Sequence, residues 1–447
     1  MPNSLAPSNQ QFLSTLRNGF IRLKLTLSLY SKLIRLLFVN KASANTENRA
    51  ISRAMIVASD FLPSIHGGVY RPLSWLRFAL AEGLCVELLT NTSKRVDKVG
   101  EALLGEQGLA AQIHYCNEAD FQQFSRPARL WLARPEFVLA ALDRLAQLHQ
   151  QRPISHIIAT GPDFSSFAIA AIFANKHCIP LHLDYRDEWT QSPFEFSAAT
   201  KLSRLLENAC INLADSISMT TQSQLTHFSQ HFGINQPLFL KQNGCDNFLE
   251  PPLAQRSSAS DIRLSHSGSI GGHNSLAELM AFLNTIQQHV GPNGSQIHLE
   301  FCGYIAKNQE AILQAAAQFT VSTLGQLSPA VAFSKTANAD LCVLLIDQRY
   351  DRYLPGKLFS YIATGKPILI LGAINSTEIA SLCNEYAVPY FFADYKACNI
   401  EACAKFIANA RHTKTEPEQL KRFRANMARQ KLAKQFFDIF QQDKSTS

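Results

Sequence analysis

Two apolar runs, residues 339–346 (ADLCVLLI) and 368–371 (ILIL), enclose the stretch 354–367, LPGKLFSYIATGKP. This order predicts a strand, a loop, a helix and a second strand. Pro355 and Gly356 suit the start of the helix; Leu358, Phe359, Tyr361 and Ile362 give it an apolar face, and Gly365 with Pro367 ends it. Two strands joined by one helix form a turn of a parallel sheet, which makes the chain an α/β protein. Lys357 falls in the first helical turn, where the helix dipole disfavours a cation by about 0.3–1 kcal/mol. An anion would compensate it, and the carboxyl end of a parallel strand beside helical N–H groups is where α/β proteins hold phosphate. The alternative is a solvated surface lysine.

At 447 residues the chain exceeds one ordinary core and implies two to three folded units. No run of 18 or more uncharged apolar residues occurs, so no segment is expected to span a bilayer. The ten cysteines include no C-x-x-C pair, and no secretory cleavage pattern is present, so reduced thiols and a cytoplasmic location are expected. The net charge is +7, of which Arg17, Arg22, Lys24, Lys32, Arg35 and Lys41 supply six in a segment with no acidic residue before Glu47. A body close to neutral argues against a nucleic-acid partner.

That N-terminal segment, residues 1–50, reads as a basic amphipathic leader. Leu13, Leu16, Phe20, Leu23, Leu27, Tyr30, Ile34 and Leu37 fall on one helical seam, whereas Leu25, Leu29 and Leu36 point elsewhere. Residues 12–39 fit a helix on an anionic membrane surface, peripheral to the inner face of the cytoplasmic membrane, with the body folding without it. A helix docked on the protein itself and a coiled-coil site are the alternatives. A polar linker, 43–53, follows.

An N-terminal domain, 51–246, opens with the strand 54–58, and Gly67 and Gly68 then lie in a strand-to-helix loop where backbone N–H groups can approach a ligand. The dinucleotide fingerprint G-x-G-x-x-G is missing. Strands are expected at 85–90, 157–162, 180–183, 216–220 and 238–241, with a crossover helix over 167–175. The segment DYRDEW, 184–189, follows an apolar strand, so Asp184, Arg186 and Asp187 are candidate catalytic residues; a network that only ties down the loop is the alternative. Residues 247–260, with two prolines and three serines, read as the interdomain linker. A second domain, 261–415, restarts with a strand and the loop GSIGG, where Gly268, Gly271 and Gly272 resemble an anion cradle and Ser275 with Glu278 forms a capping box. Further strands are expected at 297–302 and 321–325, and a last amphipathic helix at 416–440.

In this order SDFLPSIHGGVYR, IIATGP, DYRDEW, KQNGCDNF, HSGSIGG, FCGY and PGKLFSYIATGKPIL resemble bacterial GT-B-fold glycosyltransferases, family 4-like, over residues 55–440. The resemblance implies two Rossmann-like parallel-sheet domains facing a cleft, the first for the acceptor and the second for the donor nucleotide. The C-terminal segment 416–447 would cross back to the first domain. It further implies retaining transfer of a sugar from a nucleotide-diphosphate donor to a lipid-linked or polysaccharide acceptor, in cell-surface glycan synthesis. Gly67 and Gly68 would face the donor diphosphate, Lys357 would touch a phosphate, and Gly268, Gly271, Leu358 and Ser360 would complete the donor site. The Arg-Asp of DYRDEW, Arg186 and Asp187, would lie near the transferred sugar. Ser360 and Arg352 stand where the family carries glutamates. No D-x-D signature occurs, so neither a metal nor a cofactor is expected. Two other functions remain open: a sugar-nucleotide epimerase, and a catalytically silent binding partner that keeps the fold.

Overall fold

The computed structural model describes residues 9–39, 51–91, 96–116, 131–132, 134–194, 200–246, 261–268, 276–290, 295–305, 307–316, 318–372 and 375–440. The strands are β1 (Ala54–Ala58), β2 (Val86–Asn91), β3 (Ile113–Cys116), β4 (His156–Gly161), β5 (Leu181–Tyr185), β6 (Ser216–Met219), β7 (Leu238–Leu240), β8 (Ile262–Ser267), β9 (Ile297–Cys302), β10 (Thr320–Thr323), β11 (Leu341–Leu345), β12 (Ile368–Leu371) and β13 (Tyr390–Ala393). The helices are α1 (Asn9–Leu37), α2 (Tyr70–Ala81), α3 (Lys98–Leu104), α4 (Pro135–Gln151), α5 (Ser165–His177), α6 (Lys201–Leu213), α7 (Gln222–His231), α8 (Leu276–Val290), α9 (Lys307–Ala316), α10 (Pro329–Ala337), α11 (Gly356–Thr364), α12 (Thr377–Glu385), α13 (Ile400–Ala408), α14 (Pro417–Asn426) and α15 (Arg429–Phe437).

The chain divides into two compact units, one built on β1–β7 and the other on β8–β13. Each has a single parallel sheet, in the orders β3-β2-β1-β4-β5-β6-β7 and β10-β9-β8-β11-β12-β13. These are two α/β Rossmann-like units, as the strand–helix alternation predicted. Both orders reverse direction once, between β1 and β4 in the first unit and between β8 and β11 in the second. At such a point neighbouring loops leave in opposite directions and open a crevice at the carboxyl ends of the strands. Central strands such as β1 (AMIVA) and β11 (LCVLL) are buried along their whole length, as a sheet covered on both faces requires.

In the first unit the core is built around α5, SSFAIAAIFANKH, which is small and apolar nearly all round. Such a helix needs cover on every side, and α4 and α6 flank it while α1 lies over it. Leu29, Leu33 and Leu36 of α1 are buried in this core. This corrects the expectation of a leader separable from the folded body. Arg53 differs likewise from its reading as linker: only 4% exposed, its guanidinium forks onto the Glu87 carboxylate at 2.9 and 2.7 Å. The linkers proper, 40–50 and 247–260, lie outside the described residues.

The expected C-terminal helix is two, α14 and α15, interrupted at Met427 and Ala428, where the Cys245 N–H donates to the Met427 carbonyl at 2.9 Å. From Phe437 the chain belongs to the first unit. There Phe437 stacks on Phe78, and the Phe440 ring stands edge-on to His156 and His182. All ten cysteines are free thiols.

Candidate functional site

The first group of site residues lies at the reversal point of the second unit. β8 ends at Ser267, whose N–H donates to the Tyr361 hydroxyl at 2.7 Å; the same hydroxyl donates to the Ser267 carbonyl at 3.3 Å. Tyr361 thus fixes the strand's last peptide from inside α11. Gly268 follows with φ +122°, and its N–H donates to the Cys302 carbonyl at 2.8 Å. A Cβ at Gly268 would sit 3.0 Å from Lys357 Nζ, and one at Gly303 would sit 2.2 Å from the Gly268 carbonyl oxygen. Both positions therefore need glycine, for conformation at the first and for space at the second.

α11 begins at Gly356 behind Pro355 and closes at Gly365 with φ +72°, as the sequence predicted. Lys357 in its first turn reaches back to β8, with Nζ 3.5 Å from His266 Nε2. His266 is buried, and its Nδ1 donates to the Val343 carbonyl at 3.0 Å, which leaves Nε2 as an acceptor for the lysine. Burial and the neighbouring lysine hold the imidazole well below its ordinary pKa, so it is neutral. Lys357 itself is brought down to about 8 by burial. Among the described residues no carboxylate pairs with it. A partly buried ammonium with one neutral neighbour, beside a helix N-terminus and a glycine peptide, is electrostatically complementary to a phosphate.

The other donor-side candidates divide. Ser360 is half-buried on α11. Leu358 is turned into the core, and its N–H is committed to the Pro355 carbonyl at 2.9 Å, so packing, rather than ligand contact, accounts for it. Arg352 lays its guanidinium over the Tyr353 ring at 5.9 Å and 4.0 Å from Asp351. Gly271, Gly272 and the capping Ser275 lie outside the described residues.

In the first unit the register of the sheet decides the fate of DYRDEW. Thr160 of β4, Asp184 of β5 and Ser218 of β6 are paired in one row. Thr160 Oγ1 donates to Asp184 Oδ2 at 2.9 Å and Ser218 Oγ to Oδ1 at 2.7 Å. Arg71 of α2 completes the set bidentately, with Nε to Oδ2 at 3.0 Å and Nη2 to Oδ1 at 2.7 Å. Burial alone would raise the carboxyl's pKa, but Arg71 and Ser218 take it below the ordinary carboxylate value. Asp184 is thus inside the sheet, fully hydrogen-bonded and 0% exposed, a pin between α2 and three strands instead of a reacting group.

Arg186 and Asp187 lie beyond the strand. Arg186 donates from Nε to the Gly161 carbonyl and from Nη2 to the Pro162 carbonyl, both at 2.7 Å, and so ties together the exits of β4 and β5. Its Nη1 occupies the space a Cβ at Gly68 would need, at 2.0 Å. Gly68 is therefore glycine because Arg186 crosses it, and its N–H donates to His66 Nδ1 at 3.1 Å. Gly67 is exposed with open space around it. Asp187 is half-buried, and its carboxyl is pushed up to about 6, first by burial and further by Glu188, against the pull of Arg186. A carboxyl that changes charge near neutrality at a strand's carboxyl end is a functional candidate. Glu188, by contrast, is buried against His227 Nδ1 at 2.7 Å.

Sequence reasoning missed Arg71, Thr160, Ser218, His266 and Tyr361. Each pairs across 24 to 113 residues of sequence, and only the strand order brings such partners together.

No protein-family model and no curated protein sequence matches the chain. Solved structures do match it. Sucrose-phosphate synthase from Thermosynechococcus elongatus is 13% identical with a TM-score of 0.63, over 87% of this chain and 98% of that one. TarM of S. aureus, solved with UDP and α-GlcNAc-glycerol, is 9% identical with a TM-score of 0.60, over 88% and 100%. A UDP-N-acetylglucosamine 2-epimerase is 13% identical with a TM-score of 0.52, over 89% and 99%. At these identities the likeness is one of fold, and the fold is GT-B.

Proposed function

We propose that the protein is a retaining glycosyltransferase that moves a sugar from a nucleotide-diphosphate donor to a lipid-linked or polysaccharide acceptor, working at the cytoplasmic face of the membrane. The observation that carries this reading is Lys357, an ammonium group brought down to about 8 by burial and facing a neutral histidine and a glycine peptide. The GT-B fold, shared with a sucrose-phosphate synthase and with a protein solved with UDP, supports it.

In this reading the second unit holds the donor. The bond between the anomeric carbon and the diphosphate oxygen breaks with its electron pair leaving on the diphosphate, and an acceptor hydroxyl forms the new bond from the same face, its proton passing to the departing diphosphate oxygen. Lys357 and the N-terminus of α11 take up the charge that develops on the leaving group. Asp187 sits near the transferred sugar, and Arg186 holds its loop against the β4 exit. Gly67 and Gly68 face the donor diphosphate, and Ser360 meets the ribose with one hydroxyl in place of a carboxylate.

Release of nucleotide diphosphate from a panel of uridine, guanosine, cytidine and thymidine diphosphate sugars, with and without a membrane-glycan extract, tests the reaction. Release that depends on the extract is expected. Conversion of a donor to its epimer without extract would replace transfer with epimerisation, the activity named for one of the structural neighbours. Donor binding without turnover would leave a silent binding partner.

A further inference from the structure

α1 has two apolar faces. Leu29 and Leu33 are 0% exposed and Leu36 3%, all packed into the first unit's core. On the other side Leu23 is 57% exposed, Leu27 58%, Ile34 45% and, just past the helix, Phe38 80%. At 100° per residue these four positions fall within about 60° of arc, roughly opposite the buried face. Leu23, Leu27 and Ile34 belong to the seam read in the sequence, and Phe38 adds to it. Lys24 and Arg35 are exposed along one edge of this stripe. α6, which lies against α1, exposes Leu205 together with Lys201 and Arg204, while its only acidic residue, Glu207, is buried against Thr190. Neither helix therefore presents an exposed carboxylate among the described residues. Single exposed leucines are common on protein surfaces; a stripe of apolar side chains on one helix that carries cations and no acidic residue is not.

We propose that this stripe of α1, with the exposed side of α6, is a docking surface for an anionic lipid bilayer. Leu23, Leu27, Ile34 and Phe38 enter the acyl boundary, and Lys24, Arg35, Lys201 and Arg204 meet the headgroups. A second copy of this chain fits the surface poorly, because it would bring an identical cationic edge against this one. Since α1 is buried along its inner face, docking would fix the orientation of the whole first unit on the lipid, whereas a tethered leader would leave it free. The inference is independent of the donor site.

The test uses the full chain and sedimentation with vesicles of phosphatidylcholine, alone or with about 30 mol% phosphatidylglycerol. Binding to the anionic vesicles is expected to be at least about tenfold stronger than to the neutral ones and to weaken in high salt. The variant Leu23→Ser, Leu27→Ser, Ile34→Ser, Phe38→Ser should lose it at unchanged melting temperature, and Lys24→Glu with Arg35→Glu should lose the preference for anionic lipid. Failure of the wild type to bind anionic vesicles would overturn the inference, as would equal binding by the fourfold serine variant. So would a concentration-dependent dimer, seen by analytical ultracentrifugation, that the serine substitutions abolish. Soluble nucleotide-sugar binding should not change in any of these variants, so failure here would leave the donor reading standing.

Discussion

Two residues with displaced pKa values give the account its sharpest consequences. Lys357 titrates near 8 in the fold, below an unfolded value of about 10.4. Its charged form is penalised, so this group's cost to stability is complete below pH 8 and is relieved as pH rises toward 10. Lys357→Met should therefore leave the unliganded protein as stable as wild type or more so at pH 7, measured as melting temperature, while weakening donor binding. A diphosphate beside Lys357 would restore its proton, so calorimetry at pH 8 in buffers of different ionisation enthalpy should register uptake of about half a proton. Asp187 shifts the other way, to about 6, above the unfolded value of about 3.9. The stabilisation from holding it protonated is present below pH 4 and lost as pH rises through 6. Asp187→Asn should then match or exceed wild type in melting temperature at pH 7, yet lower turnover by about 10²- to 10⁴-fold. Asp184, three residues earlier, should do the reverse: Asp184→Ala strands the buried Arg71 guanidinium and should cost about 3–5 kcal/mol in denaturant unfolding.

At the scale of elements, strong apolar runs were legible and edges were not. β1 and β12 lie where the hydrophobic pattern put them, because strands buried on both faces read as continuous apolar segments, and β9 (IHLEFC) lies where its alternation of buried and partly exposed residues put it. β3 (IHYC) and β13 (YFFA) escaped notice; each is a four-residue outer strand of its sheet with partly exposed residues. α1 was recognised as a helix with an apolar seam, yet the packing uses the other leucines. A helix with two apolar stripes does not reveal from its sequence which one the core claims; α5, apolar all round and in need of cover, decides it. The two faces should respond differently to substitution. Leu33→Ala should cost about 2–5 kcal/mol of stability, whereas Leu27→Ser should stay within about 0.5 kcal/mol.

At the scale of the molecule, two parallel sheets that each reverse once explain why glycine loops open both units and why the candidate residues gather at strand ends. This much followed from alternating strands, helices and glycine turns. Partnership within the sites did not: the same segment, DYRDEW, supplies a buried pin in Asp184, a loop clamp in Arg186 and a titrating carboxyl in Asp187, and only the register of three strands separates them. The lysine read from the first helical turn lies beside Gly268, but the neutral His266 that completes its surroundings comes from 91 residues away.

The central claim is that the site around Lys357 receives the phosphates of a nucleotide sugar, and titration calorimetry of the full chain against uridine, guanosine, cytidine and thymidine diphosphate sugars tests it most directly. The account predicts that wild type binds at least one of them and that Lys357→Ala binds the same donor more than tenfold more weakly, since a charge-assisted contact contributes about 1.5–3 kcal/mol. Equal affinity in wild type and Lys357→Ala, or no binding of any of these donors by wild type, would contradict it.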